Sequence, residues 1–162
     1  INLKNKKMKN INKILALGFL ATFFLSSCGG DGGDKTTSEE VKVVETKEID
    51  PMQDKGIGPI TSVDISGKID DALASEGSIL FETKCTACHK MDKRKIGPAM
   101  TGVTKRRTPE WIMNMIMNPD EMVKENQLAK QLLMEYMSPM ANQSLTESET
   151  RAILEFFRQN DI

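Results

Sequence analysis

Cys85-Thr86-Ala87-Cys88-His89 sets two thiols three positions apart with an imidazole directly after them, and His89 is the only histidine among 162 residues. This is the C-x-x-C-H spacing at which two thiols add across the vinyl groups of one haem as thioethers. One turn of chain reaches both vinyls, and the adjacent imidazole then lies beneath the porphyrin as a fixed proximal ligand for iron. Other uses of the two cysteines fail on supply. A structural zinc site wants four N/S ligands, and beyond Cys85, Cys88 and His89 the chain offers only Cys28. A thioredoxin-like pair follows a strand in an alternating β/α pattern, whereas a helical pattern precedes Cys85. A plain disulfide suits an exported protein but leaves His89 without a role.

The N-terminal residues read as export. Residues 1–27 carry five lysines and no acid, and an apolar run over 14–25 is too short to span a bilayer comfortably. Met8 is then the expected start, giving a signal of 20 residues. The run closes on Leu25-Ser26-Ser27-Cys28, which resembles the bacterial lipobox, with Gly29-Gly30-Asp31-Gly32-Gly33 behind it. Cys28 is therefore the expected lipidated N-terminus, and several acyl chains on one residue hold a protein to a membrane firmly. The expected location is the bacterial cell envelope, as a periplasm-facing membrane lipoprotein.

Removing residues 1–27 leaves 17 basic and 23 acidic residues, a net charge of −6. The excess sits in 29–71, with eleven acids against five lysines, whereas 72–162 carries twelve of each sign. Residues 28–70 combine Cys28 with a stretch rich in Gly, Asp, Thr, Ser, Lys and Glu and devoid of aromatics, which cannot bury enough apolar surface to fold alone. They read as a flexible acidic tether with a span of roughly 35 Å. Residues 71–162 remain as one domain, small for a purely apolar core, in which a flat apolar cofactor would serve as the missing centre.

Four helices are expected to position the thiols and imidazole. Asp71 can cap a helix from about 72 to 84, with Leu73, Gly77, Leu80 and Phe81 toward one side. Gly77 in a helix interior costs about 1 kcal/mol relative to alanine, so close approach of another helix is expected there. Thr146-Glu147-Ser148-Glu149 is a capping box opening a last helix whose Phe156 is expected to settle over Gly77. Between them, Thr108-Pro109 reads as N-cap and N1 of a helix to about 117, with Pro119 soon after its end. A further helix covers about 126–137, with Leu128, Leu132, Leu133 and Tyr136 inward. No segment of this part alternates as a strand, so the fold class is all-α.

The linked motifs resemble the class I (monohaem, His/Met) cytochrome c family, specifically a lipid-anchored bacterial member. They are the Gly77, Phe81, Cys85 ladder at four-residue steps, Cys88-His89, Ile96-Gly97-Pro98, and the segment from Met140 through Leu145 into the capping box. The resemblance spans roughly 72–160. It implies a small cytochrome c fold of about four helices wrapped around one heme c, covalent through Cys85 and Cys88. It also implies that Pro98 offers its carbonyl to the free N–H of the proximal imidazole.

Iron needs a sixth ligand, and with one histidine it must come from another residue type. Methionine favours ferrous iron and raises the potential. Met91 and Met100 lie too near His89 in sequence to pass round the ring easily, and Met113, Met115 and Met117 read as helix core. Met140 lies in the loop before the last helix, and Met137, at a helix end, is its serious rival. The family pattern places the ligand at Met140, with Asn142 and Leu145 where expected and Ala141 in place of the usual proline. His89 and Met140 are thus the candidate iron ligands. In relatives, donors placed like Trp111, Arg106 and Arg107 reach the haem propionates; the alternative puts Trp111 in the core and the arginines in solvent.

Together these readings describe an electron-transfer protein, not an enzyme, shuttling single electrons between respiratory-chain partners at the membrane surface. The partners expected are a reductase and a terminal oxidase or reductase, with the membrane reached through Cys28, no nucleic acid, and a monomeric state. Eight basic residues and one acid between Lys84 and Arg107 form an expected docking side for acidic partners. The competing functions are a peroxidase-like haem enzyme and a haem-based gas sensor with a displaceable methionine.

Overall fold

The computed structural model describes residues 49–162. Cys28, the signal segment and the part of the expected tether before residue 49 lie outside the described residues. Five α-helices follow in order: α1 (Asp71–Leu80), α2 (Pro109–Met117), α3 (Pro119–Glu125), α4 (Gln127–Tyr136) and α5 (Glu147–Asn160). Among the described residues no β-strand forms; a lone parallel bridge joins Lys90 to Ala99.

Local chemistry explains most of the helix ends. Asp70, one residue before the expected cap, accepts from Leu73 N–H at 3.0 Å to open α1. Thr108 caps α2 by accepting from Trp111 N–H, with Pro109 at N1. The box at Thr146 is complete: Thr146 Oγ1 accepts from Glu149 N–H and the Glu149 carboxylate accepts from Thr146 N–H. Pro119 was expected only to follow a helix. Instead it occupies the first position of α3, where a missing N–H costs nothing, so five helices stand where four were expected.

The terminal helices cross as expected, but with different atoms in contact. A Cβ on Gly77 would collide with the backbone carbonyl of Ala152 and stand 2.9 Å from Ile153 N. Phe156 is not the partner of Gly77. It lies one turn further along, its ring 5.5 Å from that of Phe81, and Phe157 meets Phe81 edge-on at 5.6 Å. Phe81, Ile153, Leu154 and Phe157 then join Ile112, Met113 and Ile116 of α2 in the main core. Trp111, Met122, Leu128 and Ala129 make a second cluster between α2, α3 and α4.

Residues 49–70 correct the expectation that the tether runs to residue 70. Ile60 is 5% exposed and belongs to the main core. Buried Asn114 of α2 accepts from Ile60 N–H (3.0 Å) and donates to the carbonyls of Ile60 and Lys55, both at 2.9 Å. Glu110 accepts from Val63 N–H at 3.2 Å. Arg158 donates to the carbonyls of Ile65 and Gly67 while paired with Glu155, a buried carboxylate also held by Arg151. The composition of this stretch rules out independent folding, but it needs only one apolar anchor when helix side chains satisfy its backbone.

The Gly77 crossing yields a test of sign. On helix propensity alone Gly77→Ala would stabilise α1 by up to about 1 kcal/mol, whereas overpacking against unyielding backbone costs about 1–3 kcal/mol. Urea denaturation of holoprotein should show a net loss of roughly 1–2 kcal/mol. Stability equal to or above wild type would mean that the helices do not meet as closely as described.

Candidate functional site

The C-terminal turn of the first helix is where the thiols are presented. Past Leu80 the chain widens into a π-helical turn, Phe81–Cys85, closed by Thr86 N–H donating to Phe81 C=O at 3.2 Å. Such turns recur at functional positions because they shift the register of side chains on a helix face. Here Phe81 anchors the turn in the core while half-buried Cys85 and exposed Cys88 face outward from it. The amides of Cys88 and His89 both donate to Cys85 C=O, at 3.0 and 2.9 Å, which keeps the three side chains on one compact turn.

The chain after His89 doubles back to hold the imidazole. The Cys88 carbonyl accepts from both Ile96 (3.1 Å) and Gly97 (2.9 Å), and Lys95 Nζ donates to Thr86 C=O at 2.8 Å. These bonds lay Gly97-Pro98 against the ring. A Cβ on Gly97 would overlap the imidazole, reaching Nδ1 at 2.9 Å and Nε2 at 3.0 Å, so only glycine leaves room there. His89 Nδ1 stands 3.1 Å from Pro98 C=O. A carbonyl only accepts, so Nδ1 carries the proton and Nε2 keeps its lone pair for a metal. Burial holds His89 below the usual imidazole pKa, against the opposing pull of the Pro98 bond, so the ring is neutral at pH 7 and able to ligate. Burial, with a smaller contribution from Cys88, pushes the Cys85 thiol up to about 11. It is therefore a neutral thiol at physiological pH.

Cys85, Cys88, His89 and Pro98 open onto one cavity of about 540 Å³. Its other walls come from Trp111, Ile112 and Ile116 of α2, Leu132, Leu133 and Tyr136 of α4, and the loop that carries Met140. Met140 lines this cavity. Met137 does not: it caps α4 in the left-handed region (φ 51°) and is 84% exposed. Met100 and Met115 also line it, a placement the sequence reading did not assign to either.

The polar candidates Trp111, Arg106 and Arg107 all line the cavity but differ in what their donors are committed to. Trp111 is 4% exposed, and its indole N–H is committed to Asn126 Oδ1 at 3.2 Å, which makes it core wall and not a free donor. Arg106 spends its guanidinium on the carbonyls of Thr101 and Ala99, bracing the loop after Pro98. Arg107 lines the cavity with its guanidinium 5.1 Å over the Trp111 ring, and its buried Nε has no hydrogen-bond partner within the protein. Asp161, the C-cap of α5, closes the same loop by accepting from the amides of Gly102 and Thr104.

These residues fit a haem: two thiols and a neutral imidazole on one wall, a thioether elsewhere on the lining, a largely apolar interior, and an unpaired buried guanidinium donor where an acidic side group could sit. The fold and this site define a small all-α protein built around one covalently attached porphyrin. The chain belongs to the cytochrome c family of haem electron-transfer proteins, whose model matches residues 74–161. Membership implies one covalently bound haem c, and Cys85 and Cys88 are the cysteines spaced for its thioethers. A cytochrome c from Rhodothermus marinus is 49% identical with a TM-score of 0.62, over 63% of this chain and 88% of that one. An engineered form of the Rhodothermus marinus protein, solved bound to a carbene intermediate, is likewise 49% identical over 63% of this chain and 88% of its own, with a TM-score of 0.59. No curated protein matches the chain.

Proposed function

We propose that this chain is an extracytoplasmic monohaem electron carrier in which His89 and Met140 would hold the iron. The carrying observation is that both side chains line one cavity while Pro98 fixes the imidazole with Nε2 free. When bound, haem supplies one-electron chemistry by the exchange between ferric and ferrous iron. His89 is kept in one tautomer and one orientation by the Pro98 carbonyl, so little nuclear rearrangement accompanies that exchange. As a ligand, the Met140 thioether would stabilise the ferrous form and raise the potential. Among the described residues neither a second imidazole nor a carboxylate lines the cavity. This favours a carrier over a peroxidase-like enzyme, which needs a distal acid–base group beside an open iron position.

The lipid anchor at Cys28 and the respiratory-chain partners are the finer part of the same reading. They rest on the lipobox-like Leu25-Ser26-Ser27-Cys28 and on the exposed basic run Lys93-Arg94-Lys95 close to the haem-attachment turn. The anchor would confine the carrier to a membrane surface, where redox proteins exchange electrons through small, short-lived contacts.

Met140→Ala is expected to lower the reduction potential, abolish the weak far-red band of ferric iron bound to a thioether, and admit exogenous ligands. Met137→Ala should leave all three unchanged. The reverse pattern would transfer the ligand role to Met137. Cys28→Ser should move the protein from membranes to the soluble fraction. It should slow electron delivery to a membrane-bound oxidase while leaving reduction by ascorbate and a small mediator unchanged. Undiminished membrane fractionation of Cys28→Ser would remove the anchor.

A further inference from the structure

Residues 49–66 precede the segment matched by the family model, yet they reach the cavity wall through one carboxylate. Asp54 Oδ1 closes its own turn by accepting from Gly56 N–H at 2.8 Å. Its other oxygen accepts from Asn126 Nδ2 at 2.7 Å. The backbone carbonyl of Asp54 accepts from Thr108 Oγ1 at 2.6 Å, the same hydroxyl that caps α2. The last two of these bonds tie this N-terminal segment, a strap across the helices, to the starts of α4 and α2.

Asn126 passes the constraint onward, and its amide can point only one way. Its Oδ1 receives the indole N–H of Trp111 at 3.2 Å and the Ala129 amide at 3.0 Å. An indole nitrogen only donates and a carboxylate only accepts, so a flipped amide would oppose both neighbours. Asn126 and Trp111 are buried, and Trp111 carries Arg107 on its ring face. The series Asp54, Asn126, Trp111, Arg107 therefore runs from the strap to a guanidinium on the cavity lining. Burial, then the adjacent Arg106, holds Arg107 below the usual guanidinium range, and Asp54 opposes that shift.

We propose that Asp54 is a positioning residue of the electron-transfer site: through Asn126 and Trp111 it holds Arg107 on the cavity wall, and its charge, set against Arg107, tunes the reduction potential. The inference rests on the electron-carrier reading above. A carboxylate favours the more positive, ferric state, and it also offsets a guanidinium that favours the ferrous state. Both effects have the same sign, so loss of the charge raises the potential. At an effective dielectric constant near 20, two unit charges on the order of 12 Å apart interact at roughly the tenfold level.

The test is the reduction potential of holoprotein carrying Asp54→Asn, measured beside Asp64→Asn, which removes an exposed carboxylate from the same strap. Asp54→Asn should raise the ferrous-to-ferric ratio about three- to tenfold at a fixed applied potential, tenfold being about 59 mV for one electron. Asp64→Asn should move it little, and the far-red thioether band should persist in both. An Asp54→Asn potential equal to wild type would overturn the proposal, as would equal shifts in the two variants, which would report net charge alone. If Asp54→Asn disturbs the fold, Asp54→Glu decides: recovery of the wild-type potential supports the role of the charge, and failure to recover it overturns that role. Failure of the underlying carrier reading is distinguishable, because the thioether band would then be missing from wild type.

Discussion

The bond between His89 Nδ1 and the Pro98 carbonyl is the contact around which the domain is arranged. With one histidine in the chain, the proposed ligation of iron by an imidazole depends on a single ring held in a single tautomer. A free imidazole would rotate and exchange its proton between nitrogens. Here three features remove that freedom: two amides converge on the Cys88 carbonyl, Gly97 presses against the ring face, and Arg106 braces the loop that follows. The cost of ordering this loop is spread over backbone bonds that need no particular side chains, so local composition reveals little of it.

Packing elsewhere serves the same turn. The α1–α5 crossing can close only because Gly77 has no side chain to meet Ala152 C=O, and that closeness sets Phe81 against both Phe156 and Phe157. Phe81 is the first residue of the π-helical turn that ends at Cys85, so the helix crossing fixes where the first thiol emerges. On the opposite side, α2 carries two functions at once. Ile112 and Ile116 line the cavity, and Asn114 holds the strap to the back of the domain. A domain short of aromatic residues thus draws stability from a covalently attached group in front and a hydrogen-bonded extension behind.

Much of this was legible in the residues themselves. C-x-x-C-H, the Thr108-Pro109 start and the Thr146 capping box each encode a local geometry within a few positions, and each appears where expected. The need for a close helix contact at Gly77 was also legible, since glycine inside a helix carries a cost that something must offset. Its partner was not: a backbone carbonyl leaves no mark in sequence, and Phe156 was the wrong choice. The short helix α3 was missed because Pro119 ends one helix and begins the next with the same ring. The strap was missed for a related reason. Low hydrophobicity shows that 49–70 cannot fold alone, but not that Asn114, Glu110 and Arg158, far along the chain, satisfy its backbone. Trp111 as a propionate donor was equally open until its indole N–H was seen bound to Asn126.

A carrier differs from a haem enzyme or a gas sensor in having no free position on iron, and carbon monoxide reads that difference directly. Ferrous wild-type holoprotein at neutral pH should give a low-spin, six-coordinate absorption spectrum that is unchanged on saturation with carbon monoxide, because in the proposed centre the Met140 thioether would leave no open position on iron. Immediate conversion to a carbon monoxide adduct, or a five-coordinate high-spin spectrum before the gas is added, would contradict a closed His/Met centre.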